Sequence, residues 1–258
     1  MKKYFIVSDI HGFYYEFLNT LHKTGFDPKM KNHILVICGD LFDRGPDNVG
    51  IYNYIKKLPK SRCILIRGNH EQLLLDIVDR GYFVDDDIHN GTANSLIQPA
   101  GYYNMDIYDV IIHELTDVVI NNFKRCEVYR WLKSKRWINY LELKHHIITH
   151  SFVPLKGSFE DIYKGNTDKL EYNADWRHAS QLEWDDAAWG CPYKFIDAGL
   201  WREDKKLVCG HWSACDFHTH YNGDTPYINH NIYEDDHVVA LDGCTALSYH
   251  VNVYTIEE

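Results

Sequence analysis

Three apolar runs in the first third of the chain each break off into the kind of residue that holds a cation. They are "YFIVSD" (4–9), "HILVICGD" (33–40) and "CILIRGNH" (63–70). Each is a short, nearly unbroken aliphatic run, the pattern of a strand buried on both faces. Helical patterns separate them. "GFYYEFLNTLHKTG" carries Phe13, Phe17 and Leu21 at helical spacing and stops at Gly25. "NVGIYNYIKKLP" ends near Pro59, and "EQLLLDIVDRG" is stopped by Gly81. The order β-α-β-α-β-α predicts an α/β sheet layered by helices. In such sheets the working residues gather in the loops at the carboxyl ends of the strands.

The rest of the chain is organised differently. From about 82 to 145 the apolar residues recur at intervals of three and four, which predicts a helical insertion or cap. "HHIITHSF" (145–152), "KKLVCGHW" (205–212) and "HVVALDGC" (237–244) read as strands, and "YHVNVYTI" (249–256) as an outer or paired strand. The stretch 155–200 is irregular, acidic and rich in Trp. No linker or repeat interrupts the chain, so the expectation is one domain over 1–258.

Composition narrows the function. With 45% hydrophobic and 14% aromatic residues, the chain can bury a large core. No apolar run approaches the roughly 20 residues that span a bilayer, so no membrane partner is expected. The start "MKKYFIVSDIHG" has no small-residue cleavage site and reads as the first strand rather than a signal peptide. Seven cysteines, odd in number and without C-x-x-C, sit largely inside apolar runs. That argues for a reducing, cytoplasmic setting and against a thiolate zinc site. The net charge of -10 argues against stable nucleic-acid binding but leaves room for a phosphorylated protein or nucleotide as substrate. Nothing in the sequence fixes an oligomeric state.

The strand ends carry the chemistry. The first gives Asp9-x-His11-Gly12, the second Gly39-Asp40-x-x-Asp43-Arg44-Gly45, the third Gly68-Asn69-His70-Glu71; later strands end at His150 and His211. Oxygen and imidazole donors from separate strand ends suit divalent first-row metals. Asp9, His11 and Asp40 are expected to hold one ion, and Asn69, His150 and His211 a second, with Asp40 bridging. Two ions about 3.5–4 Å apart are the standard arrangement for in-line displacement at phosphorus, and a water between them ionises near neutral pH. That hydroxide is the expected nucleophile. Asp43 is one carboxylate too many for the ions and is expected to orient His70, which then protonates the leaving alkoxide. Arg44 offers a planar fork to two phosphoryl oxygens.

These three blocks resemble the signature motifs of the calcineurin-like metallophosphoesterases. The Asp-Arg-Gly and Asn-His-Glu forms are similar to the phosphoprotein phosphatase branch, which includes bacterial Ser/Thr protein phosphatases and symmetrical diadenosine tetraphosphate hydrolases. "HNGTANSL" (89–96) resembles a degraded form of that branch's Asn-Gly-Gly stretch. The resemblance implies two β-sheets packed as a sandwich and flanked by helices, a four-layer αββα fold. It also implies two divalent metal ions: manganese first, iron or zinc as alternatives. The branch usually supplies a second phosphate-binding Arg between its last two metal histidines; the candidates here are Arg177 in "ADWRHAS" and Arg202 in "GLWRED".

Other conspicuous residues have plainer readings. Glu71 supports the first turn of its helix, and Arg67 either partners a carboxylate or lines the site. His218 and His220 read as loop residues, the tryptophans as core, and the Asp85–Asp87 run as a solvated loop. The expected function is a metal-dependent Ser/Thr phosphoprotein phosphatase. The alternative is a symmetrical dinucleoside polyphosphate hydrolase or other nucleotide phosphatase. A minor alternative is an inactive metal-binding scaffold.

Overall fold

A computed structural model describes residues 1–258. Its strands are β1 (Lys3–Val7), β2 (His33–Cys38), β3 (Cys63–Ile66), β4 (Trp137–Ile138), β5 (Tyr140–Glu142), β6 (His146–Thr149), β7 (Leu155–Lys156), β8 (Glu171–Tyr172), β9 (Lys206–Ser213), β10 (Tyr233–Glu234), β11 (Val238–Asp242) and β12 (Val253–Glu257). One five-stranded sheet runs β12-β1-β2-β3-β4 and a second runs β10-β11-β9-β6-β5, with β7 and β8 forming a small hairpin. Within the first sheet β1 to β4 are parallel; within the second, β11, β9 and β6 are. The edge strands β12, β10 and β5 run antiparallel to their neighbours.

Alternation along the strands sorts side chains between layers. Ile6, Val36, Cys38 and Ile66 of the first sheet meet Ile148, Val208, Val239 and Leu241 of the second in a core between the sheets. Their neighbours Phe5, Val7, Leu35, Ile37 and Leu65 face outward and are covered by α1 (Tyr14–Lys23), α2 (Asn48–Lys57) and α3 (Asn69–Arg80). On the far side, Ile147, Leu207, Cys209 and Ala240 pack with Phe152, Trp176, Trp184, Phe195 and Phe217. The result is the four-layer sandwich that the sequence resemblance implied. Fully burying one such aliphatic side chain stabilises by about 1.5–3 kcal/mol, so three cores hold both sheets rigidly in register.

The helical stretch comprises α4 (Asp85–His89), α5 (Thr92–Ile97), α6 (Ile107–Ile112), α7 (Thr116–Arg125) and α8 (Glu127–Leu132). Ala93, Leu96, Val110, Val119 and Phe123 from these helices join the same apolar cluster as β1 to β3. The helices thus thicken the outer layer of the first sheet. Residues 155–200, which read as irregular, contain three short helices, α9 (Phe159–Lys164), α10 (Gln181–Ala187) and α11 (Pro192–Asp197). Each has only six or seven residues, too few to show a clear period. Of the tryptophans expected in the core, Trp137 and Trp184 are buried, whereas Trp131, Trp189 and Trp201 are only partly so; Trp176 is fully buried as well.

An ion-pair network ties the edge of the second sheet to the loop that precedes β9. Arg177 bonds both oxygens of Glu142 at 2.9 and 3.0 Å and reaches Glu203 at 2.9 Å, while Lys205 reaches Glu142 at 2.9 Å. The Arg177 guanidinium also lies over the Trp176 ring, 4.1 Å from its centroid. Hydrogen bonds from Arg177 pull the Glu142 carboxyl down to about 2 from an ordinary 4.5. A depressed carboxyl contributes stability above its unfolded pKa and loses it as pH falls through the folded one. Arg177→Ala is therefore expected to cost about 1 kcal/mol at neutral pH. The gap between wild type and variant in urea melts should close as pH falls from about 4.5 towards 2; a gap independent of pH would contradict this role.

Candidate metal centre

The carboxyl ends of β1, β2, β3, β6 and β9 converge, and the loops leaving them adopt unusual backbone conformations. Asp9, His11, Asp40, Asp43, Arg44 and His211 all have φ between 48° and 76°, the left-handed region that L-residues seldom enter. Such strain persists only where surrounding structure enforces it, and it concentrates at functional sites. Two glycines permit the close approach. A Cβ on Gly210 would lie 2.1 Å from Asp9 Oδ2, and one on Gly68 would lie 2.2 Å from Asp40 Oδ1.

Asp9, His11, Asp40, Asn69, His70 and His150 are all buried, with His211 partly exposed. Asp40 is the centre of this group. One of its oxygens lies 3.8 Å from both His11 Nε2 and His70 Nε2, and the other lies 3.5 Å from His150 Nε2. Two sets of donor atoms are close enough to grip an ion: His11, Asp40 and His70, and Asp40, His150 and His211. Asp40 belongs to both. Asp9 sits beside the cluster, with its Oδ1 4.0 Å from His11 Nε2 and its Oδ2 accepting the His211 backbone N–H at 2.9 Å.

Hydrogen bonds fix the histidine tautomers. His11 Nδ1 donates to the Phe42 carbonyl at 2.9 Å, and His150 Nδ1 donates to the Cys38 carbonyl at 2.7 Å. Each ring thus turns an Nε2 lone pair inward, the arrangement found for ligating histidines. His150 Nε2 lies 2.8 Å from Asn69 Oδ1, and Asn69 Nδ2 has no partner. Such a pair of acceptors is relieved by a proton on Nε2, by a cation between them, or by turning the Asn69 amide so that Nδ2 donates to the ring. On the other side, the Arg44 guanidinium donates to His11 Nε2 at 2.9 Å and to His70 Nε2 at 3.2 Å. The oxygen and imidazole donors of the cluster match first-row divalent metals.

The ionisation states follow from burial and crowding. Burial disfavours the Asp40 carboxylate, but His150, His70, His11 and His211 outweigh it and hold its pKa below the usual range. Asp9 is pushed up to about 6 by burial and the Asp40 charge, with His150 opposing. Burial drives His11 down, helped by His70 and Arg44, and lowers His211 to about 3, helped by His150. Burial also opposes charging of His70, yet Asp40 and Asp43 prevail and raise it to about 9. His70 Nδ1 lies 2.5 Å from Asp43 Oδ2.

Several supporting residues lay beyond the sequence reading. Glu71 does more than support a helix: its buried carboxylate accepts the backbone N–H groups of Asp40, Leu41 and Gly68 at 3.0, 2.9 and 2.9 Å. It thereby splices the loops after β2 and β3. Thr92 donates to Asp43 Oδ2 at 2.6 Å, and Ser95 Oγ accepts the Asp43 N–H at 2.9 Å. Both come from α5, within the "HNGTANSL" stretch. Asp242, at the end of β11, is a further buried carboxylate beside the cluster, raised by burial and by Asp9. Only the acid-after-strand pattern of "LDGC" hinted at it.

Arg177 and Arg202 are not brought to the cluster. Arg177 is committed to Glu142 and Glu203, and Arg202 donates to the Gly199 carbonyl with its guanidinium 5.5 Å from the Tyr172 ring centroid. Both belong to the region before the amino end of β9, whereas His211 lies towards its other end. Arg67 pairs with no carboxylate; it bonds Gln72 and the Leu132 carbonyl, and it lines a narrow cleft beside Asn69 and His150. His218 bonds the Asn231 carbonyl and His220 bonds Asp197, away from the centre.

Residues 2–215 match the family model for the calcineurin-like phosphoesterases. The chain belongs to that family. Among relatives, serine/threonine-protein phosphatase 1 of Salmonella typhimurium is 42% identical over 71 residues, 28% of this chain and 31% of the relative. The symmetrical bis(5'-nucleosyl)-tetraphosphatase of Buchnera aphidicola (subspecies Acyrthosiphon pisum) is 31% identical over 138 residues, 54% of this chain and 42% of the relative. The chain thus matches less than half the length of either. A cold-active protein-tyrosine phosphatase of a psychrophilic Shewanella species shares the fold, with a TM-score of 0.53 at 19% identity, covering 100% of this chain and 76% of that one. No helix of this calcineurin-like phosphoesterase is long and apolar enough to cross a membrane.

The splice made by Glu71 generates a direct prediction. Glu71→Ala leaves three buried N–H groups without an acceptor, each costing about 1–3 kcal/mol. Allowing for relaxation and water entry, a loss of about 3 kcal/mol is expected in urea melts. A midpoint equal to wild type would show that the carboxylate holds nothing together.

Proposed function

We propose that this phosphoesterase hydrolyses phosphomonoesters on Ser or Thr of proteins, with two divalent cations held in the buried cluster. Asp9, His11 and Asp40 are assigned to one ion, and Asn69, His150 and His211 to the other, with Asp40 shared. The observation that carries this reading is the position of the Asp40 carboxylate, within 3.8 Å of inward-turned imidazole nitrogens on two opposite sides. When bound, such ions supply Lewis acidity towards water and phosphoryl oxygens. Manganese suits the mixed oxygen and imidazole set, with iron and zinc as alternatives.

The chain's own groups complete the reaction. Arg44 lies at the solvent edge and carries the fork that fits two phosphoryl oxygens. A guanidinium only donates, so each Nε2 it touches must accept. An incoming phosphoryl group that draws Arg44 away from His70 frees that nitrogen to carry a proton, while His11 Nε2 is the nitrogen assigned to a cation. Asp43 holds the opposite nitrogen of His70 and keeps the ring basic enough to be protonated at neutral pH. His70 then donates that proton to the departing alkoxide, and Thr92 steadies Asp43 as it does so.

A second reading, hydrolysis of a symmetrical dinucleoside polyphosphate, draws support from the longer of the two matched stretches, that with the Buchnera enzyme. One experiment separates the readings and tests the roles. With manganese present, wild type and His70→Asn are compared on a phosphoserine peptide and on diadenosine tetraphosphate, with products resolved. Free phosphate from the peptide is expected, rather than nucleoside diphosphate from the dinucleotide. The variant should lose roughly 10²–10⁴ in kcat while retaining the wild-type metal content. Loss of metal would move His70 from acid to ligand, and turnover of the dinucleotide alone would overturn the protein-phosphatase reading.

A further inference from the structure

A groove of about 670 Å³ opens beside Arg44, between the start of α1, the loop after β2, the α5–α6 region and the 246–249 loop. Its walls are aromatic. Tyr15, Tyr103 and Tyr249 are exposed there, and Tyr249 is propped edge-to-face on Phe13 at 5.6 Å between centroids. The charge on the walls is one-sided: Arg44 is the sole cation, against the carboxylates of Glu16, Asp47 and Asp106. Asp47 and Asp106 are anchored as helix caps, with Oδ1 atoms accepting from Gly50 and Asp109 N–H groups at 2.7 and 3.0 Å. Glu16 has no hydrogen-bond or ion-pair partner, so its charge is free.

An independent feature points to a ligand that donates hydrogen bonds. Asn48 lines the groove and is only 5% exposed, and its Oδ1 has no partner. Asn48 Nδ2 donates to Ser95 Oγ at 3.0 Å, Ser95 Oγ reaches the Gly91 carbonyl at 3.4 Å, and Asn48 Oδ1 is left unpaired. A buried acceptor without a donor is costly, and a peptide N–H or a basic side chain would relieve it.

Resting on the phosphoesterase reading above, we propose that this groove seats the polypeptide leaving group and selects phosphopeptides with Lys or Arg close to the phosphorylated residue. Tyrosine faces attract cations, and three carboxylates add long-range attraction. A polyphosphate leaving group meets the opposite situation. Once one phosphoryl group occupies Arg44, the groove offers its remaining negative charges no cation and three anions.

The test compares two phosphoserine peptides that differ only in having Arg or Glu beside the phosphorylated residue, with manganese present. The Arg peptide is expected to have a kcat/KM about tenfold higher, with the ratio shrinking as salt is added. Glu16→Gln should lower that ratio two- to fivefold. Equal values for both peptides, a ratio untouched by salt and by Glu16→Gln, or a preference for diadenosine tetraphosphate would each overturn the proposal. A small aryl phosphate, too short to reach the groove, reports on the catalytic reading separately. No turnover there sinks both readings. Turnover there with no discrimination between peptides sinks only this one.

Discussion

Everything at the functional end of this fold answers to one constraint: the Asp40 carboxylate is buried and kept ionised. A carboxylate out of water is costly unless positive charge and hydrogen bonds surround it. Here the compensation comes from all sides. His70 and His150, both favoured in the charged form, flank it, and the His70 backbone N–H bonds Asp40 Oδ1 at 3.1 Å. None of these groups is near Asp40 along the chain. The two sheets must pack in fixed register to assemble them, so the core between the sheets is also a device for positioning charge.

The supporting bonds follow the same logic. Glu71 gathers three N–H groups that would otherwise splay the loops after β2 and β3. The Phe42 and Cys38 carbonyls settle which nitrogen of His11 and His150 faces inward. Left-handed backbone at six of the site residues shows how far the local chain is bent to satisfy these demands. The cost of that strain is offset by apolar packing elsewhere, notably around α5, which also delivers Thr92 and Ser95 to Asp43.

Much of this was legible in the sequence because strand-end chemistry is local. An aliphatic run followed by Asp9-x-His11, by Asp40-x-x-Asp43-Arg44 or by Asn69-His70 announces both the strand and its polar tip. His150 and His211 were readable for the same reason, although His145 and His146 stand on the same run. What escaped is what depends on distant pairing. Nothing near Glu71 reveals that its carboxylate reaches back to Asp40 and Leu41. Nothing near Arg177 reveals Glu142 and Glu203, so an Arg beside a Trp read as a phosphate ligand when it is an ion-pair hub. The short helices of 155–200 and the two- and three-residue strands β4 and β5 have too few residues to display a period. Tertiary packing, rather than local preference, determines them.

The central claim is that a single carboxylate is shared between two cation sites, and metal counting on Asp40→Asn tests it most directly. The wild-type protein loaded with manganese and freed of excess should carry two ions per chain. The variant, with a neutral amide at the shared position, should retain fewer than one, measured by elemental analysis on protein shown to be folded by circular dichroism. A folded variant that keeps one site fully occupied and loses only the other would contradict the sharing of Asp40, and with it this account of the site.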